Sequence, residues 1–179
     1  MSNRRNNKPH VLLLTGVPGI GKTTVIRRAA DRLKDKAVRG FYTEEIRENG
    51  ARSGFRLVSF DGAVQIIAHV NISNGHRVGK YGVDIRALDN AAGLLKPDPE
   101  ARVYLVDEIG KMECLAEGFI AAMRILLAGN TPVVATVGAR GSGFIAEVKR
   151  RPKCELWEVT YANRDGLPPR ILAWLAERT

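Results

Sequence analysis

Apolar residues in this chain fall into short solid blocks separated by polar stretches rich in glycine, proline and asparagine. Val11–Leu14, Val103–Val106 and Val133–Val137 are apolar runs of strand length, with Thr136 the one polar member. Runs of that kind mark strands buried on both faces. Between them the spacing changes. Val25, Ile26, Ala29, Ala30 and Leu33 recur at helical intervals and predict a helix over Lys22–Lys34. Four more helices are expected. Ile85–Leu95 is stopped by Lys96-Pro97, and Cys114–Leu127 is closed by Gly129-Asn130. Ser142–Arg151 has Pro152 beyond it, and Pro168–Arg178 opens on a proline. Glu155–Thr160 reads as the last strand.

Residues 40–70 follow another rule. Arg39–Arg47, Gly54–Phe60 and Val64–Val70 read as strands, joined by Glu48-Asn49-Gly50 and Asp61-Gly62. Asp-Gly between two β-rich runs is a hairpin signal, so a small antiparallel insertion is expected here. Gly75–Asp84 reads as a loop with a short strand. Elsewhere strands alternate with helices, which implies βαβ units and a parallel sheet. The expectation is an α/β fold of three layers in a single domain spanning 1–179, with 1–8 as a flexible basic tail.

Candidate chemistry sits at the strand ends. Gly16-Val17-Pro18-Gly19-Ile20-Gly21-Lys22-Thr23 matches G-x-x-x-x-G-K-[ST] at every fixed position, after an apolar strand and before a helix. That is the setting a phosphate-binding P-loop requires. Glycines let backbone N–H groups converge on phosphate oxygens, and the helix N-terminus adds partial positive charge. Residues Gly16 to Thr24 are therefore the expected nucleotide site. Lys22 would reach the β- and γ-phosphates, Thr23 would bind magnesium, and Thr24 would meet the α-phosphate. The strand Val103–Val106 ends in Asp107-Glu108, the Walker B pattern. Asp107 would hold magnesium through water, and Glu108 could orient and deprotonate an attacking water. An adjacent Asp-Glu pair is typical of P-loop ATPases with an extra strand between the P-loop and Walker B strands. Val133–Val137 would be that strand, giving a RecA-like core with parallel order 5-1-4-3-2. Thr136 would then be either a sensor near the γ-phosphate or an ordinary strand threonine.

Several further stretches occur in order: Gly40-Phe41-Tyr42-Thr43-Glu44-Glu45-Ile46-Arg47, Arg52-Ser53-Gly54-Phe55, Val78-Gly79-Lys80-Tyr81-Gly82-Val83-Asp84, Asp107-Glu108-Ile109-Gly110-Lys111-Met112-Glu113 and Asn163-Arg164-Asp165-Gly166-Leu167-Pro168. With the P-loop, they make the chain resemble the small nucleoside-triphosphatases of the thermophilic and cancer-related NTPase type, over nearly its whole length. The Asp-Glu-Ile-Gly-Lys-Met-Glu stretch is far more specific than the P-loop. The resemblance implies slow hydrolysis of several NTPs to NDP and phosphate, with Glu108 and Lys111 as catalytic residues beside Lys22. Lys111 could stabilise charge on the transferring phosphoryl group, or be a surface lysine opening a helix. Glu113 reads as a first-turn acid favoured by the helix dipole. Gly138–Gly143 does not match the family pattern, and Arg140 within it could reach the γ-phosphate or be a solvated loop residue.

Charge and composition change this picture little. The net charge of +9, from 28 basic and 19 acidic residues, suits a polyanionic ligand. A solvated basic surface is preferred to a nucleic-acid interface, since no RRM-like or zinc-finger signature is present. Cys114 and Cys154 lie outside any CxxC pair and His10, His69 and His76 show no ligand spacing, which argues against a zinc site. No apolar run reaches membrane-spanning length. The expected protein is a cytoplasmic monomer that hydrolyses ATP, GTP, CTP and UTP with Mg2+. A nucleotide or small-molecule kinase and an NTP-dependent nucleic-acid switch are the alternatives. Glu44, Arg47 and Arg56 are expected to face a ligand or pair across strands. Arg77, Lys80 and Tyr81 are candidates for a loop closing over phosphates. Asn163-Arg164-Asp165 is a candidate border of the base, because ligands in open parallel sheets sit at the carboxyl ends of strands.

Overall fold

The computed structural model describes residues 8–33 and 37–178. Its elements are β1 (Val11–Thr15), α1 (Lys22–Asp31), β2 (Val38–Glu48), β3 (Ala51–Ser59), β4 (Val64–His69), β5 (Arg77–Val78) and β6 (Tyr81–Val83). They continue with α2 (Ile85–Ala91), β7 (Val103–Ile109), α3 (Glu117–Ala128), β8 (Val133–Val137), α4 (Phe144–Lys149), β9 (Cys154–Glu158) and α5 (Leu167–Ala176). All nine strands form one mixed sheet in the order β5-β6-β4-β3-β2-β7-β8-β1-β9.

The neighbours β9-β1, β1-β8, β8-β7 and β7-β2 are parallel. Numbered along the chain, these five strands run 5-1-4-3-2, as expected from the adjacent acids. The antiparallel strands β3, β4, β6 and β5 continue the same sheet outward from β2. They extend beyond the expected 40–70 segment, because the loop read over Gly75–Asp84 folds into the β5–β6 hairpin.

Successive side chains of a strand point to opposite faces. Leu12, Leu14, Val103, Leu105 and Val134 pack with Val25 and Ile26 of α1 and Ile171 and Trp174 of α5. Val11, Leu13, Tyr104, Val106 and Ala135 pack on the other side with Leu88 of α2, Phe119 and Met123 of α3, and Phe144 of α4. The unbroken apolar runs thus reflect helices on both faces. Where β2 meets β7, Gly40 has φ 103°, and a Cβ there would lie 2.0 Å from the Leu105 carbonyl oxygen. Only glycine lets the two backbones approach that closely.

Element ends moved where local bonds compete. The helix expected from Cys114 begins at Glu117, because Leu115 N–H donates to Met112 O and Ala116 N–H to Glu113 O. These i to i+3 bonds form a tighter 3-10 turn over Glu113–Leu115. The helix expected over Ser142–Arg151 covers only Phe144–Lys149. The helix end expected at Lys34 and nearly all of the basic tail lie outside the described residues; Lys8, the last residue of that tail, pairs with Glu177 at 3.0 Å.

Candidate active site

The carboxyl ends of β1, β7 and β8 meet the first turn of α1 around Asp107. This carboxylate is fully buried, and three elements donate to it. Thr23 Oγ1 of α1 reaches Oδ2 at 2.8 Å, and Thr136 Oγ1 of β8 reaches Oδ1 at 2.6 Å. Thr43 of β2 donates both its N–H (3.3 Å) and its hydroxyl (3.2 Å) to Oδ2. A carboxylate offers about four acceptor positions, so the set is well satisfied. The adjoining Thr23 hydroxyl and Asp107 carboxylate are hard oxygen donors. They fit magnesium, which takes one or two protein ligands and fills its octahedron with water and phosphate oxygens. Among the described residues no three His, Cys, Asp or Glu side chains gather into a metal cage.

The P-loop wraps the N-terminus of α1. Gly19 (φ 79°) and Gly21 (φ 108°) occupy the left-handed region, and a Cβ on Gly16 would lie 2.8 Å from Val159 O. Helix α1 has no side-chain N-cap and no acid in its first turn. Its terminal N–H groups are thereby left for an anion. Lys22 is buried and folds back to donate to Gly16 O at 3.0 Å.

Beside this loop lies a cleft of about 510 Å³, walled by Gly16, Pro18, Lys22, Glu108, Lys111 and Arg140. The Glu108 carboxyl is pushed above its ordinary range, first by burial and then by Asp107, while Lys22 opposes the shift. The peptide between Asp107 and Glu108 is cis. Lys111 and Arg140 are exposed at the rim. The loop carrying Arg140 is pinned by Lys149, whose Nζ donates to Gly138 O (2.5 Å) and Ala139 O (2.9 Å).

Glu113, expected as a first-turn acid, does open the 3-10 turn, and it is buried beneath Gly110, where desolvation, Glu108 and Asp107 push its carboxyl up to about 8. Glu44 and Arg56 face one another in the β2–β3 register and bond at 2.8 Å, with Arg27 also on Glu44. Arg47 pairs with Glu45. These are cross-strand and neighbouring pairs, away from the cleft walls. Arg77 caps the β5–β6 turn by donating to Lys80 O, and lines an alcove beside Lys111 and Arg140. Thr24 lies on the other flank of the P-loop, with Arg28, Arg164 and Asp165.

The parts that sequence reasoning missed are Thr43 and Lys149. Thr43 stood within a quoted stretch but carried no motif signal, since its approach to Asp107 depends on β2 pairing with β7. Lys149 looked like one of a basic run at the end of a helix. Its position one helix length after a glycine-rich turn was the available signal.

Comparison with known proteins places this arrangement. A family model described as NTPase matches residues 11–172. A nucleoside-triphosphatase THEP1 of Thermotoga sp. (strain RQ2) is 36% identical over 166 residues, covering 92% of this chain and 94% of that one. The crystal structure of THEP1 from the hyperthermophile Aquifex aeolicus superposes with a TM-score of 0.82 at 34% identity, covering 92% and 98% of the two chains. The solution structure of a human cancer-related nucleoside triphosphatase gives a TM-score of 0.82 at 33% identity, covering 94% and 98%. A family model that spans most of the chain, relatives above 30% identity over nearly its whole length and closely superposing structures make the chain a member of the NTPase family.

Proposed function

We propose that this protein hydrolyses nucleoside triphosphates to the diphosphate and inorganic phosphate, with Mg2+ and little preference among ATP, GTP, CTP and UTP. The observation that carries this reading is the pairing of a phosphate-ready helix terminus with two distinct acids. Asp107 is fixed by threonine hydroxyls beside the P-loop, and Glu108 is left facing the cleft beside Lys22. The family and its relatives, named as nucleoside-triphosphatases, support the same chemistry.

Thr23 and Asp107 are the residues that would hold magnesium. When bound, the ion supplies charge neutralisation across the β- and γ-phosphates. The P-loop N–H groups from Gly16 to Thr24 cradle the phosphate chain, and Lys22 leaves the Gly16 carbonyl to meet the γ-phosphate. Glu108 orients a water in line with the γ-phosphorus and takes its proton as the new P–O bond forms. The bond to the β–γ bridging oxygen breaks, and that oxygen leaves on the diphosphate. A carboxyl raised by burial is the better base for this transfer, its proton affinity lying nearer that of the water it activates. Lys111 and Arg140, both lining the cleft, stabilise charge on the γ-phosphoryl oxygens. Cys114 takes no part, its thiol being pushed up to about 12 by burial. We read the chain as one domain acting as a monomer. The free thiols of Cys114 and Cys154 suit the reducing cytoplasm.

The test is phosphate release from the four NTPs, with magnesium or with EDTA, for wild type, Lys22→Ala and Glu108→Gln. Glu108→Gln should lower kcat by about 10² to 10⁴ while nucleotide affinity stays near wild type. Wild-type release no greater than the Lys22→Ala background would overturn the hydrolase reading.

A further inference from the structure

The cleft beside the P-loop does not end at the γ position. It opens into an alcove of about 590 Å³ that shares Lys111, Arg140 and Ile145 with it and is lined by no P-loop residue. A γ-phosphate seated beside Lys22 and Glu108 therefore has this alcove on the side away from the P-loop. Three separate segments build its walls. Arg77 and Val78 come from β5, Lys111 and Leu115 from the turns after β7, and Arg140 and Ile145 from the loop after β8 and from α4.

The charges there are of one sign. Arg77, Lys111 and Arg140 line the alcove, and no acid does. Among the described residues none of the three meets a carboxylate at ion-pair distance, although Arg39, Arg47, Arg52, Arg56 and Arg124 each do so within 2.8 Å. Cations gathered from distant segments with no acid between them raise the local positive potential, which an oxyanion would neutralise. The Arg77 guanidinium is aimed by its own hairpin. Its Nη2 donates to Lys80 O at 2.6 Å, and its other N–H groups have no protein acceptor among the described residues. Val78, Leu115 and Ile145 supply apolar lining, and the Cys114 thiol, pushed up to about 12, adds no negative charge. Apolar surroundings strengthen the pull of a charge on its counter-ion.

We propose that the alcove is a second phosphate subsite, which takes a phosphoryl group lying beyond the γ-phosphate. Two sources share that chemistry: the δ-phosphate of a nucleoside tetraphosphate, and free inorganic phosphate. Lys111 and Arg140 line both cavities, whereas Arg77 lines only the alcove and so marks this subsite apart from the γ site. With a tetraphosphate in place, the P-loop still holds the α- to γ-phosphates. Water attacks the γ-phosphorus, its proton passes to Glu108, and the bond to the β–γ bridging oxygen breaks. That oxygen leaves on the diphosphate, and the γ- and δ-phosphates leave together as pyrophosphate. The inference rests on the hydrolase reading and extends its substrate class to nucleoside polyphosphates longer than the triphosphate.

The experiment compares wild type with Arg77→Gln, which keeps a donor for Lys80 O and loses the charge. Turnover of ATP and of adenosine tetraphosphate with magnesium is followed by phosphorus NMR, which separates phosphate from pyrophosphate. In parallel, inorganic phosphate is titrated by calorimetry into protein saturated with magnesium and β,γ-imido-ATP, whose γ position is already filled. Wild type should take the tetraphosphate with a KM about tenfold below that for ATP and release ADP and pyrophosphate. Arg77→Gln should erase that advantage and leave ATP kinetics unchanged. This result assigns the alcove to the δ-phosphate. Phosphate binding to loaded wild type but not to loaded Arg77→Gln assigns it to the free ion. The subsite is overturned if the tetraphosphate has no advantage and the loaded protein binds no phosphate. It is overturned equally if Arg77→Gln leaves both readouts at wild-type values, or weakens ATP and the tetraphosphate in the same ratio. Turnover of neither nucleotide would sink the hydrolase reading, and the phosphate titration would still decide the subsite.

Discussion

Every residue of β8 is buried, and all of β7 except Glu108, whereas β4 leaves Val64 and Ile66 more than half exposed. The three inner parallel strands β1, β8 and β7 are covered by helices on both sides, and the antiparallel strands have a wet face. Polar groups are handled accordingly. In the parallel half the Asp107 carboxylate is dry and fixed by threonine donors, and the dry Glu113 carboxyl is raised to about 8. In the antiparallel half the Glu45 carboxyl is held below its ordinary range by hydrogen bonds from Arg52 and then Arg47, at the surface. One half holds its polar residues in a dry cluster beside the cleft, and the other uses them as mutual partners in water.

The largest test of this contrast compares like with like. Leu105→Ala in β7 should destabilise the protein by about 3 kcal/mol, since it leaves a cavity in a covered layer. Ile66→Ala in β4 should cost no more than about 0.5 kcal/mol. Urea midpoints measure both, and equal losses would mean that the β4 face is covered in solution. A smaller effect concerns pH. The Glu113 carboxyl holds its proton more tightly in the folded chain, so its stabilising effect is complete below about 4.5 and is lost as pH rises through about 8. The loss is at most ~1.4 kcal/mol per pH unit. Glu113→Gln should flatten the fall in stability over that window, read from denaturation at a series of pH values. The smallest effect is Arg56→Ala, which breaks an exposed pair with Glu44. It should cost about 0 to 1 kcal/mol and vanish at high salt, checked by melting at two ionic strengths.

Much of the fold could be read in the chain because its signals are local. The P-loop needs only eight consecutive residues, and the apolar runs of β1, β7 and β8 announce burial on two faces. The adjacent Asp107 and Glu108 even carried the order of the parallel strands. What could not be read depends on contacts between distant segments. Thr43 reaches Asp107 only because β2 lies against β7, and no spacing along the chain encodes that approach. The first-turn place of Glu113 was legible, but its burial beneath Gly110 was not, because that depends on how the 3-10 turn packs. The β5–β6 hairpin was hidden because two-residue and three-residue strands are too short to show a period.

The double membership of β2 has a consequence for engineering. Its one side pairs with β7 through Val38–Phe41, and its other with β3 through Phe41–Glu48. The antiparallel strands therefore cannot be lifted out as a module or grafted onto a relative. Excision from Ala51 to Val83 would strip β2 of its outer partner and expose a row of unpaired backbone groups, an open template for aggregation. Variation in this region is better introduced at the Asn49-Gly50 and Asp61-Gly62 turns, where added residues meet only water.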